Sequence, residues 1–347
     1  MLINRDKNPH GGDVYSRRVT IDFSSNINPY GTPDCVKEAV AASAETCGIY
    51  PDPYCTGLRR AISDIERVPC DTILCGNGAA ELIYSFAYSL EKEKPALIVS
   101  PSFSEYASAL GAAGVCKEHY LLKEEDGFRL TDKILKTDLP RYCAVFLCSP
   151  NNPTGITVKP ELVRALAKRC DKLFLDLCFL DFTSDPERYD IPDLISNNPN
   201  VIVLRAFTKN FATAGLRIGY VICSDTKFIE KMSEKAPCWN VSSVAQRAGI
   251  AAAGCGEWLK SSVKNIIRER ERVAEEFRSL GVRVYGGEAN YLLLYSEKKL
   301  YELLLARGIL VRDCKNYVGL GEGYLRIAIR NKADNDLLIS TVKEVMK

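Results

Sequence analysis

Two histidines, His10 and His119, are all that the 347 residues contain, and zinc sites are built from histidine and closely spaced cysteine. The fourteen cysteines are scattered, and no two form a C-x-x-C pair. No metal site is expected from such a set. Several of them, Cys75, Cys143, Cys148, Cys178 and Cys223 among them, sit inside apolar runs, where a free thiol behaves as a small hydrophobe. The expectation is reduced thiols in a reducing cytoplasm, not a disulfide framework. A dominant charge is missing too: 46 Lys and Arg against 44 Asp and Glu leave a formal +2. That balance gives no reason to expect a nucleic-acid or membrane partner. No apolar run approaches the ~20 residues of a membrane helix. The start, "MLINRDKNPHGGD", lacks the apolar stretch of a secretory signal. Repeats and low-complexity tracts are also absent.

What remains is a chain that is 46% apolar and 26% charged, enough for a sizeable core and long enough for one large and one smaller domain. From about residue 72, short apolar and β-branched runs alternate with helical patterns. The strand candidates are "TILCG" (72–76), "PALIVS" (95–100), "YCAVFLC" (142–148), "LFLDLCF" (173–179), "VIVLRAF" (201–207) and "GYVIC" (219–223). Amphipathic stretches such as "AELIYSFAYSLEKE" and "KPELVRALAKRC" lie between most of them. Continuous apolar strands interleaved with helices predict an α/β fold: a mostly parallel sheet in a three-layer α/β/α arrangement. The "IGYVI" strand follows its predecessor after only a dozen residues or so, which suits an antiparallel strand. Past residue 225 or so a long charged helical stretch precedes "VRVYGGEANYLLLYS", a further helix and "YLRIAIR", the mark of a smaller α+β domain. The expected division is an arm at 1–30 packing with the small domain, a large domain at 31–235 and a small C-terminal domain at 236–347.

In an open α/β sheet, ligands bind beyond the carboxyl ends of the strands, so what each strand delivers there matters most. The first ends in "GNGAAE" (76–81), where Gly78, Ala79 and Ala80 run straight into a helix. Such a junction offers unpaired N–H groups and a positive dipole end to a phosphate. The next gives Phe103, a flat surface; the third gives Asn152 in "CSPNNPTG"; the fourth carries Asp176; the fifth ends in Thr208 and Lys209, with Arg217 beyond. Taken singly, each has an ordinary explanation: a turn, a strand-end cap, a solvated amine, a surface ion pair. Together they do not, because no core needs Asn, Asp, Lys and Arg at successive strand ends, and a carboxylate in an apolar strand costs several kcal/mol without a cationic partner. Pyridoxal 5′-phosphate accounts for all of them. It needs an amine for its aldehyde, an acid for its ring nitrogen, a donor for its phenolic oxygen and a cradle for its phosphate. A dinucleotide-binding dehydrogenase suits the α/β pattern, but "GNGAAE" lacks G-x-G-x-x-G and Lys209 would have no use there. A non-catalytic regulator fused to a DNA-binding domain would call for an extra basic domain.

The run "NNPTG", then Asp176, then "TKNFATAGLRIGY", resembles the fold-type I pyridoxal-phosphate enzymes of the class I/II aminotransferase family over essentially the whole chain. Within that class the chain is similar first to threonine-phosphate decarboxylases of cobalamin biosynthesis and next to histidinol-phosphate aminotransferases. The pointers are "HGGD" (10–13), "IDFSSNINPYG" (21–31), "EANYLLL" (288–294) and two arginines fourteen apart, Arg312 and Arg326. The resemblance implies that Lys209 bonds the cofactor and then shuttles protons, that Asp176 pairs with the ring nitrogen, and that Asn152 donates to the phenolic oxygen. It implies that Phe103 stacks on the ring and that Ala79, Ala80, Thr208 and Arg217 hold the phosphate. Tyr50, in "IYPDP", would reach that phosphate from the other subunit of a homodimer. Arg326 would take the substrate carboxylate, and His10, Asn26 and Arg312 its phosphate. The implied activity is decarboxylation of L-threonine O-3-phosphate, with histidinol-phosphate transamination or serine O-phosphate decarboxylation as the other readings. Some positions depart from the wider class. Phe179 stands where most aminotransferases have tyrosine, as it tends to in the decarboxylases; Leu177 and Cys178 replace Glu-Ala, and Ala206 replaces a Ser or Thr. The stretch between "HGGD" and "IDFSSN" is shorter than usual, which leaves the substrate's identity open.

Overall fold

A computed structural model of the chain describes residues 10–16 and 19–347. Strand β1 (Ile21–Asp22) belongs to the N-terminal segment. A large sheet follows, built from β2 (Ile73–Gly76), β3 (Ala96–Ser100), β4 (Lys117–Leu121), β5 (Ala144–Cys148), β6 (Leu173–Asp176), β7 (Val201–Ala206) and β8 (Gly219–Ile222). The C-terminal part adds β9 (Arg283–Tyr285), β10 (Tyr291–Tyr295), β11 (Ile309–Leu310), β12 (Arg312–Asp313) and β13 (Tyr324–Ala328).

The large sheet runs β2-β8-β7-β6-β5-β3-β4. β8 alone runs opposite to the other six strands, as its short connection to β7 led us to expect. Alternation along each strand sorts side chains onto two faces. Leu97, Val99, Val145, Leu147, Leu173, Leu175, Val201 and Val203 join one core. Ala96, Ile98, Ala144, Phe146, Phe174, Ile202 and Leu204 join another on the opposite face. With both faces covered, the strands have to be apolar throughout, which is why they read as unbroken runs. One strand escaped that pattern: β4, "KEHYL", is an edge strand with exposed ends, and a charged edge is how sheets discourage further pairing.

The smaller sheet, β12-β13-β10-β9, is antiparallel. It packs on the helix Gly256–Ser279, whose Val263, Ile266, Val273 and Phe277 share a third core with Phe23, Leu292, Leu294, Leu325 and Ile327. Those helix positions recur at intervals of three, seven and four residues, which keeps them on one face. The N-terminal segment is stitched to this part: β1 pairs in parallel with β11, and Phe23 exchanges backbone hydrogen bonds with Leu310 and Ala328. It then reaches the end of β7, where the Asn28 N–H donates to the Lys209 carbonyl at 3.0 Å. Among the described residues no helix is long and apolar enough to cross a membrane.

Candidate active site

A cavity of about 440 Å³ opens at the carboxyl ends of the large sheet, against β12 and β13. Twelve of the expected site residues line it: His10, Asn26, Ala79, Ala80, Phe103, Asn152, Asp176, Thr208, Lys209, Arg217, Arg312 and Arg326. Two stand apart. Gly78 sits just behind, as the residue that starts the helix Ala79–Tyr88 at φ +82°. Few residues other than glycine adopt that φ, and a Cβ there would lie 2.7 Å from Arg217 Nη2, so a side chain would also displace that guanidinium. Tyr50 does not enter this chain's own cavity; it is 77% exposed.

Lys209 occupies the short helix Phe207–Asn210 that follows β7 directly. Burial, reinforced by the positive charges of Arg326 and Arg217, lowers its pKa to about 8 from 10.5, so a sizeable share is neutral near physiological pH. Asp176 ends β6 and is buried. Burial pushes its carboxyl up, against the opposing pull of two donors, the Tyr106 hydroxyl at 2.6 Å and the Cys178 N–H at 2.9 Å. Among the described residues no cation forms an ion pair with it. A buried carboxylate facing a cavity without a counter-charge suits a protonated ring nitrogen.

Arg312 and Arg326, fourteen apart in the chain, are cross-strand partners on β12 and β13, which brings both guanidinium groups to one wall. Arg326 donates from Nη1 to Asn152 Oδ1 at 2.5 Å and from Nη2 to the Ser24 carbonyl at 2.6 Å, while its Nε, like Asn26 Oδ1, is buried with no partner among the described residues. Arg312 donates to the Asp313 carbonyl at 2.6 Å and to Asn316 Oδ1 at 2.7 Å, and lies over the Tyr317 ring. The HGGD segment folds in against Ser24 and Ser25. Gly11 comes so near that a Cβ would lie 2.5 Å from the Ser24 carbonyl, and the Gly12 N–H donates to Ser24 Oγ at 2.7 Å. His10 is thereby carried to Glu105, with Nε2 2.7 Å from Oε1 and its ring 5.5 Å from that of Phe103.

Residues beyond the expected set also line the cavity or contact its lining residues. Tyr106 supports Asp176 from three positions past Phe103, one helical turn along; Tyr317 contacts Asn152 Oδ1 at 3.4 Å; Glu105 meets His10. The first was legible as the inward face of a helix starting at Ser104, whereas the other two carried no local pattern. Phe179 lines the cavity and packs edge-on against Tyr291 at 5.0 Å.

A mostly parallel sheet with a strand-end lysine, a buried aspartate and a glycine-led helix terminus defines a fold-type I pyridoxal-phosphate enzyme. Residues 18–342 match the family model "Aminotransferase class I and II", and the chain belongs to that pyridoxal-phosphate-dependent family. It is 36% identical to a threonine-phosphate decarboxylase of Salmonella typhimurium over 97% of this chain and 96% of that one. Among solved structures, it is similar to the histidinol-phosphate aminotransferase from Clostridium acetobutylicum, with TM-score 0.85 and 30% identity, covering 94% of this chain and 99% of that one. The L-threonine-O-3-phosphate decarboxylase from Porphyromonas gingivalis follows with TM-score 0.83 and 25% identity over the same shares, 94% and 99%.

Proposed function

We propose that the protein decarboxylates L-threonine O-3-phosphate to (R)-1-aminopropan-2-ol O-phosphate, a step toward cobalamin, as a cytoplasmic homodimer. The observation that carries this reading is the cross-strand pair Arg312 and Arg326, set with His10 and Asn26 around one cavity. Such a wall suits a substrate with two anionic groups, a carboxylate and a phosphate, because guanidinium forks bind both bidentately. The 36% identity to a threonine-phosphate decarboxylase supports the same choice. Phe179 agrees with it as well, since it offers no hydroxyl to the phenolic oxygen. The arm, the large domain and the small domain are taken to divide at residues 30 and 235.

The cofactor, once bound, supplies a sink for the electron pair released when a bond at the substrate's α-carbon breaks. This chain's residues do the rest. Asp176 would balance the positive ring nitrogen; Asn152, its Oδ1 taken up by Arg326, would be left its NH₂ to donate to the phenolic oxygen; Phe103 would lie against the ring. The N–H groups of Ala79 and Ala80, the Thr208 hydroxyl, Arg217 and Tyr50 of the partner subunit would hold the phosphate. Gly78 lets Arg217 close on it. Arg326 grips the substrate carboxylate, and His10, Asn26 and Arg312 grip its phosphate. Lys209 would be the residue to hold the cofactor's aldehyde, and its amine would supply the proton that replaces the departing carboxylate at the substrate's α-carbon. A pKa of about 8 lets it carry the proton in either direction at neutral pH.

The likeness to a histidinol-phosphate aminotransferase at 30% identity favours a second reading, in which Lys209 instead removes the α-proton and 2-oxoglutarate is consumed. Serine O-phosphate is a variant substrate of the first reading. A product assay separates them. Purified enzyme should release CO₂ from threonine phosphate with no 2-oxo acid present and leave histidinol phosphate untouched. A strict requirement for 2-oxoglutarate would overturn the decarboxylase in favour of the aminotransferase.

A further inference from the structure

Tyr50 is not loose on the surface. Its ring stacks on Trp239 with centroids 4.7 Å apart and planes 30° apart. Trp239 itself holds φ +57°, a left-handed conformation that a bulky residue adopts only when its surroundings impose it. Both neighbours of the stack are anchored. Gln246, buried on the helix Ser243–Ala253, donates at 2.9 Å to the Asp52 carbonyl and at 2.9 Å to the Val241 carbonyl, clamping the Tyr50 segment to the Trp239 segment. Asn240 donates at 2.5 Å to Glu81 Oε2, which also accepts from the Asn77 N–H at 2.6 Å. Asn77 and Glu81 bracket Gly78, Ala79 and Ala80, so the loop that carries Trp239 is tied to this chain's own phosphate cradle.

We propose that Trp239 is the positioning residue that aims Tyr50 at the partner's site, with Asn240 anchoring it to the cradle of its own subunit. The inference rests on the reading above in which Tyr50 binds the cofactor phosphate across the dimer. The left-handed turn at Trp239 is what swings the indole out against the tyrosine; in an extended conformation the side chain would project elsewhere. The stacked ring removes most of the rotamer freedom that an exposed tyrosine otherwise loses on binding a phosphate.

The test is equilibrium dialysis of pyridoxal phosphate against the apo dimer, alongside thermal unfolding of the same samples. Tyr50→Phe is expected to weaken cofactor binding roughly 10- to 100-fold, the range for a hydrogen bond to a charged group. Trp239→Gly should weaken it roughly 3- to 10-fold, the range for an aromatic pair, without backbone strain, because glycine adopts φ +57° readily. In the double variant the two losses should not add, since an indole with no hydroxyl to aim has no further effect. Trp239→Phe, which keeps a flat ring, should restore most of the affinity. A loss in Tyr50→Phe beside wild-type affinity in Trp239→Gly, or full additivity in the double variant, would overturn the positioning role alone. Unchanged affinity in Tyr50→Phe would remove the trans tyrosine and this role with it.

Discussion

The Lys209 ammonium sheds water on folding and faces two arginines, and its lowered pKa records what that costs the apoprotein. The folded value of about 8 lies below the ordinary 10.5, so between those limits the unfolded chain binds more protons than the folded one. Stability from this group therefore rises as pH climbs from about 8 to 10.5, and below about 8 the full penalty applies. Lys209→Met, which fills similar space without charge, should make the apoprotein more stable than wild type at pH 7 by up to about 3 kcal/mol. The gap should close as pH climbs through that window. Urea unfolding of both proteins at pH 7 and pH 10 measures it, and a gap independent of pH would contradict the assignment. Tolerating such a penalty in the resting fold is what an amine kept partly neutral for covalent chemistry requires. The same variant, unable to bond an aldehyde, should lack the ~410–430 nm band expected of this chemistry.

Elements, by contrast, are governed by packing. Asp176 ends a strand whose Phe174 is fully buried, 4.5 Å from the Phe86 ring and 5.2 Å from that of Phe146. Phe174→Ala should therefore cost about 3–5 kcal/mol, read as a fall in the denaturation midpoint, and should loosen the end of β6 enough to weaken cofactor binding. The buried strands were legible because both faces of a parallel sheet demand apolar residues, and the helix Gly256–Ser279 because its apolar positions keep helical spacing. Strand β4 was not, since an edge strand exposes its ends and carries charge. Nor were β11 and β12, two residues each, too short to show any period. The site followed the same division. Lys209, Asp176 and Asn152 announced themselves as polar residues at the ends of apolar strands. The opposition of Arg312 and Arg326, however, is a fact of strand register: spacing names the pair, and only the β12–β13 ladder places them face to face. Glu105 and Tyr317 stayed silent, because each reaches the cavity through a partner remote in sequence.

At the scale of the whole molecule, the proposed dimer would complete each cavity with a residue from a second copy. Tyr50, Tyr54 and Ile49 are exposed by more than 70% and Trp239 by 48%, apolar surface that the proposed dimer would cover and that stands outside its own subunit's cavity. If Tyr50 serves the partner, each complete site combines Lys209 of one protomer with the tyrosine of the other, and complementation between inactive variants becomes possible. Lys209→Ala and Tyr50→Ala homodimers should each be nearly inactive at limiting cofactor. In their mixed dimer one site carries both lesions, because the subunit without Lys209 receives the altered Tyr50. The opposite site carries neither. Unfolding and refolding an equal mixture yields about half mixed dimers, each with one intact site, so activity should return to about one quarter of wild type. A tyrosine acting within its own subunit gives a different result: every site in the mixture would then carry one lesion, and no activity would return. Counting recovered activity against the fraction of mixed dimers, separated by a charge tag on one variant, decides which chain the tyrosine serves.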